Sequence, residues 1–121
     1  MKNALVVDDA REMADSFCRM LTLLDIQAYA AYGSRAALVS LNEKAPDIVF
    51  VDLNMPGLGG FEVIGYLRRD PRLETIPIFV VTSDDQEETA EKAKQLGALD
   101  ILIKPVSFET VEAALKKAKL L

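Results

Sequence analysis

The 121-residue chain contains no histidine. That absence rules out imidazole acid–base catalysis, histidine-bearing zinc sites and a histidine phosphoacceptor, leaving carboxylates, hydroxyls and lysines to carry any chemistry. The one cysteine, Cys18, has no intrachain disulfide partner, which fits a reducing, cytoplasmic compartment. No apolar run approaches the ~20 residues of a membrane-spanning helix. The short run Ala4 to Val7, ahead of Asp8, is too brief for the apolar region of a secretory signal. Basic residues are outnumbered, 14 to 19, giving a net charge of −5, and this argues against direct binding of nucleic acid or an anionic membrane. Linker-like Pro/Gly/Ser stretches and low-complexity tracts are also missing, so residues 1–121 read as a single domain. Half the residues are hydrophobic and 27% are charged, the balance of a chain that folds without disulfides or structural metal.

What is present is an alternation. The runs Ala4-Leu5-Val6-Val7, Ile48-Val49-Phe50-Val51, Ile78-Phe79-Val80-Val81 and Ile101-Leu102-Ile103 have the character of strands buried on both faces, and Ile26 to Ala31 suits an edge strand. Amphipathic segments lie between them. Met13, Phe17, Met20, Leu21 and Leu24 recur at helical spacing. Ser34 is placed to cap a second helix carrying Ala37, Leu38 and Leu41, which the Ala45-Pro46 step ends. A third helix runs from Gly60 to about Arg69. Ser83 and Gln86 are spaced as a capping box for a fourth, with a thin stripe of Ala90, Ala93 and Leu96 and with Gly97 as its C′ residue. A fifth opens at Ser107 and closes in Lys116, Lys117 and Lys119, cations that complement the helix dipole. The pattern predicts an α/β fold: a five-stranded parallel sheet with helices on both faces, doubly wound and flavodoxin-like, in the order 2-1-3-4-5.

Polar residues end the apolar runs: Asp8 and Asp9 the first, Asp52 the third, Thr82 and Ser83 the fourth, Lys104 the fifth. Ligands of open α/β sheets bind beyond the carboxyl ends of the strands, where the strand order reverses. In the order 2-1-3-4-5 this gathers the three aspartates, with Thr82 and Lys104 alongside. Each residue alone has a capping or turn explanation; their convergence on one corner points to chemistry. Three adjacent carboxylates repel unless a cation intervenes, and an all-oxygen donor set suits Mg²⁺ or Mn²⁺. A divalent ion and the Lys104 ammonium together offset the three negative charges, so a phosphoryl group could approach.

Leu5-Val6-Val7-Asp8-Asp9, Asp52-Leu53-Asn54-Met55-Pro56 with Gly60, Val81-Thr82-Ser83, and Gly97 through Ile103-Lys104-Pro105 together resemble the receiver domains of two-component response regulators over Leu5 to about Lys117. The resemblance implies that Asp52 is the phosphoacceptor. Asp9, Asp52 and the backbone carbonyl of Asn54 would hold Mg²⁺ directly, with Asp8 acting largely through water. It further implies that Lys104 pairs with the carboxylate and then the phosphate, that the Thr82 hydroxyl meets a phosphate oxygen, and that Pro105 follows a cis peptide. Asn54 and Asp84 would flank the attacking water and set the phosphate lifetime, and Ser83 would belong to the switch loop. The implied partners are a sensor histidine kinase or phosphotransfer protein and a downstream effector domain or protein, with the chain itself a monomer or weak dimer and only slow self-dephosphorylation.

Two positions depart from the family pattern. Ile101 stands where an aromatic residue is common, which removes the usual ring swing, and Gly59 stands where an acidic residue is common. Two rival readings are weighed against the receiver. A flavin-binding protein would want a Ser/Thr/Gly-rich loop after the first strand, whereas this chain has Asp8-Asp9-Ala10-Arg11. A Mg²⁺-dependent phosphatase with an aspartate nucleophile commonly carries a second acid two residues further on, where this chain has Asn54.

Overall fold

The computed structural model describes residues 1–121. Strands β1 (Asn3–Val7), β2 (Gln27–Ala31), β3 (Ile48–Asp52), β4 (Ile78–Thr82) and β5 (Asp100–Ile103) alternate with helices α1 (Arg11–Leu23), α2 (Ser34–Glu43), α3 (Gly60–Arg69), α4 (Glu87–Gln95) and α5 (Phe108–Lys117). All strand pairs are parallel, and the order is β2-β1-β3-β4-β5, as the sequence predicts.

Successive side chains of a strand point to opposite faces, so a strand that is apolar throughout must be covered on both sides. β3 shows this directly. Ile48 and Phe50 join a core beneath α1 and α5, built with Ala14, Phe17, Leu21, Val111 and Leu115. Val49 and Val51 join the opposite core with Ala37, Leu41, Ile64, Leu67 and Ala93 of α2, α3 and α4. The Phe50 ring lies 4.7 Å from that of Phe17 and 5.6 Å from that of Phe79, which locks α1 onto the centre of the sheet.

Four local expectations are corrected. α4 begins at Glu87 rather than at Ser83, because the Asp84 carboxylate captures the Gln86 N–H at 2.9 Å in a side-chain turn that delays the helix. Ser34 is the buried first residue of α2, and Gly33 occupies the capping position. The buried stripe of α1 is Ala14, Phe17 and Leu21, with Met13 turned outward. β5 is buried on one face only: Leu102 is covered but Ile103 is 40% exposed, since a strand at the sheet margin lacks a neighbour. The Ser107 cap is as expected, its hydroxyl accepting from the Thr110 N–H at 3.2 Å. Gly97 is the expected helix-ending residue, with a φ of 112° that side chains disfavour.

Candidate phosphoacceptor and metal site

The site lies where β1, β3, β4 and β5 end. Val7 pairs with Val51 and Asp52 with Val81, while Thr82 pairs with Ile103, so the residues that follow or end these strands share one rim. Carboxylate oxygens of Asp8, Asp9 and Asp52 lie within 4.8 Å of one another. Asp8 and Asp52 are buried and Asp9 is exposed, giving a cluster with a closed floor and an open mouth. The Asp8 Oδ1 accepts the Ala10 N–H at 3.0 Å, which aims its other oxygen inward.

Lys104 reaches across from the end of β5. Its ammonium is 2.9 Å from Asp52 Oδ1 and 3.5 Å from Asp8 Oδ2, and its own N–H donates to the Thr82 carbonyl at 2.8 Å. The peptide between Lys104 and Pro105 is cis, as the resemblance implies. Burial pushes the Asp52 carboxyl above its ordinary range, and repulsion from Asp8 and Asp9 adds to this, with the Lys104 hydrogen bond and charge opposing. Burial pulls the Lys104 ammonium down, but the Asp52 hydrogen bond and the surrounding negative charge outweigh it, so Lys104 titrates above its usual value.

Thr82 is 1% exposed, and its hydroxyl oxygen accepts the Asp84 N–H at 3.1 Å. Asn54 is exposed on the loop after β3, and Ser83 is exposed after β4. The Asp84 carboxylate is turned toward α4, accepting from Gln86 N–H and from the Thr89 hydroxyl at 2.6 Å. Ile101 is half-buried against the core that includes Ala93 of α4.

The loop after β3 is confined by Gly60. A Cβ there would lie 2.5 Å from the Asp52 carbonyl oxygen and 3.0 Å from Leu53 Cα, so no larger residue fits without moving the acceptor strand. The Gly60 N–H closes the turn on the Leu53 carbonyl at 3.2 Å.

Sequence reasoning missed two features. An apolar cleft of about 210 Å³ opens beside Asp52 and Lys104, walled by Met13, Phe17, Met20 and Val106. Arg68 donates to the carbonyls of Glu74 at 2.7 Å, Ile76 at 2.9 Å and Gly97 at 2.7 Å, tying the end of α3 to the end of α4. In the sequence Arg68 reads only as a helix-end cation; the carbonyls it gathers come together through the fold.

These donors are hard oxygens around a pocket that carries excess negative charge, the setting of an Mg²⁺-type ion. Comparison with known proteins agrees. Residues 4–116 match the family model of the response regulator receiver domain. The chain is 34% identical over 111 residues to protein PilH of Pseudomonas aeruginosa, covering 92% of each. It is 30% identical over 115 residues to the phosphate regulon transcriptional regulatory protein PhoB of Escherichia coli, covering 95% of this chain but only 50% of that protein. The solved structure of the chemotaxis protein CheY4 of Vibrio cholerae matches with a TM-score of 0.92 at 27% identity, with 98% of each chain covered. With the sheet order, the acidic corner and this match in agreement, the chain belongs to the response regulator receiver domains, the phosphoacceptor signalling domains of two-component systems.

Proposed function

We propose that Asp52 is the residue that accepts the phosphoryl group, from a histidine kinase or phosphotransfer protein, with Mg²⁺ held by Asp8, Asp9, Asp52 and the Asn54 carbonyl. The observation that carries this reading is the 2.9 Å pairing of Lys104 with Asp52 inside a carboxylate cluster. The metal supplies charge neutralisation for the transferring oxygens when bound. The protein does the rest. Asp52 presents a carboxylate oxygen for in-line attack, Lys104 shifts from that carboxylate to the phosphate, and the buried Thr82 hydroxyl donates to a phosphate oxygen, so catalysis is positioning plus electrostatics.

Asn54 stands where a phosphatase of this kind commonly carries its second acid, and an amide is a poor base toward water. The domain is therefore a switch with slow self-dephosphorylation rather than a turnover enzyme, and it acts in the cytoplasm on an effector domain or protein as monomer or weak dimer. No helix is long and apolar enough to cross a membrane. With an acyl phosphate as donor, intact mass is expected to rise by one phosphate per chain when Mg²⁺ or Mn²⁺ is present and not in chelator. Multiple turnover of a phosphate ester would instead favour a phosphatase.

Without metal, the carboxylate cluster also sets a pH dependence. The folded Asp52 carboxyl holds its proton to higher pH than the unfolded one, so the native state binds more protons across that interval. The Asp52 contribution to metal-free stability should therefore fall as pH rises from about 4 toward the raised folded value, then level off. Asp9→Ala relieves part of the repulsion on Asp52 and removes a metal donor. Its metal-free melting temperature is expected to rise, while Mg²⁺ affinity by calorimetric titration falls about 10-fold or more. Unchanged affinity with a lower melting temperature would make Asp9 a cap alone.

A further inference from the structure

The two ends of α4 are attached in different ways. At the C-terminal end the Gly97 N–H closes on the Lys94 carbonyl, the Leu99 N–H bonds the Ile78 carbonyl at 2.7 Å, and Arg68 clamps the Gly97 carbonyl together with those of Glu74 and Ile76. At the N-terminal end Gln86 gives no side-chain cap, and the first turn is held instead by the Asp84 carboxylate, which accepts from the Gln86 N–H and from the Thr89 hydroxyl. Packing adds little there, since Ala93 is the one fully buried residue of the helix. Asp84 also donates its N–H to the Thr82 hydroxyl oxygen. Thr82, Asp84 and Thr89 thus form a continuous hydrogen-bonded chain from the floor of the site to α4.

We propose that Thr89 is a positioning residue for dephosphorylation: by holding the Asp84 carboxylate against α4, it keeps that group away from the water that attacks the acyl phosphate. The proposal rests on the reading that Asp52 carries the phosphoryl group and that Asp84 borders the path of the water. In hydrolysis the water oxygen bonds to phosphorus, and the bond from phosphorus to the Asp52 carboxylate oxygen breaks. Asp52 leaves as carboxylate, and the water proton departs with inorganic phosphate or to solvent. A carboxylate freed from Thr89 accepts a hydrogen bond from that water and orients it, which speeds the step. The lifetime of the phosphorylated state is then tied to the first turn of α4. By linkage, a partner that holds this turn in place prolongs the signal.

The test uses the full chain, labelled with an acyl phosphate and Mg²⁺ and then followed by intact mass as the label decays. Thr89→Val keeps the shape and loses the hydroxyl, and is expected to shorten the half-life about 3-fold or more, the population change that one lost hydrogen bond produces. Thr89→Ser should restore the wild-type decay, and Thr89→Val should have no further effect in an Asp84→Asn background. In the unlabelled protein, amide exchange should quicken at residues 87–90 while residues 97–99 keep their protection. Wild-type decay in Thr89→Val, or equal shortening with and without the Asp84 carboxylate, would overturn the proposal alone. A wild-type chain that takes no label would overturn the acceptor reading and this inference with it.

Discussion

Asp52→Asn is expected to take up no phosphoryl group under conditions that label the wild type to one phosphate per chain. The side chain keeps its shape at the end of β3, so the fold should survive, as circular dichroism can verify. What is lost is chemical. An amide oxygen carries no full negative charge to direct at phosphorus, and the ion pair with Lys104 at 2.9 Å is gone. The other two aspartates of the cluster are poor substitutes. Asp8 has one oxygen committed to the Ala10 N–H, and Asp9 stands at the exposed mouth. Asp52 is buried, ends the central strand of the sheet and makes the shorter lysine contact, 2.9 Å against 3.5 Å for Asp8. Transfer needs the attacking oxygen in line and the charge of the transferring group neutralised, and the closer lysine favours Asp52 on the second count. Equal labelling of the mutant would move the acceptor to Asp8 or Asp9. Metal-free stability offers a second readout from the same protein: Asp52→Asn removes the titrating carboxyl, so its contribution to the pH dependence should disappear.

Phe50→Ala is expected to cost about 3–5 kcal/mol in urea unfolding, the range for deleting a large buried ring. Phe50 is fully buried in the middle of β3, between Phe17 of α1 and Phe79 of β4. The ring is held by a helix and two central strands, so the space it leaves cannot readily collapse, and each lost aromatic pairing adds roughly 0.5–1.5 kcal/mol to the burial that disappears. Against a total stability of about 5–15 kcal/mol for a domain of this size, that is a large fraction. The midpoint should drop with little change in slope, because the surface exposed on unfolding stays nearly the same. A loss below about 1 kcal/mol would mean that the core refills the space and that Phe50 is not a pillar of the sheet. Asp52 follows two residues later on the same strand, so labelling of the folded mutant also reports how rigidly β3 holds its acceptor.

Much of this protein was legible in its residues. Continuous β-branched runs can be satisfied only by cover on both faces, and that gave the parallel sheet. The polar residues that interrupt those runs at their carboxyl ends gave Asp8, Asp9, Asp52, Thr82 and Lys104 as one group, which the strand register brings together. The start of α4 was misread for a local reason. Ser83 and Gln86 have capping-box spacing, but Asp84 competes for the same Gln86 N–H, and pattern alone does not rank two capping side chains one residue apart. The phase of α1 differs for a packing reason: the apolar spacing reads Met13 into the stripe, whereas the sheet takes the small Ala14 for the close approach.

What only the tertiary structure decided involves partners distant in sequence. Arg68 is a helix-end cation until the fold presents three carbonyls to it, two from the loop before β4 and one from Gly97, 29 residues away. The exposure of Ile103 follows from β5 being last in the sheet, a matter of strand order and not of the strand's own composition. The direction of Asp84 is decided closer by, between residues only five apart in the chain. Its place two residues after Thr82 does not reveal that its carboxylate meets the Thr89 hydroxyl, brought within 2.6 Å by the first turn of α4. Hydrophobic periodicity is a property of neighbouring residues and so survives in the sequence. The aim of a polar side chain depends on which donors the finished fold places around it.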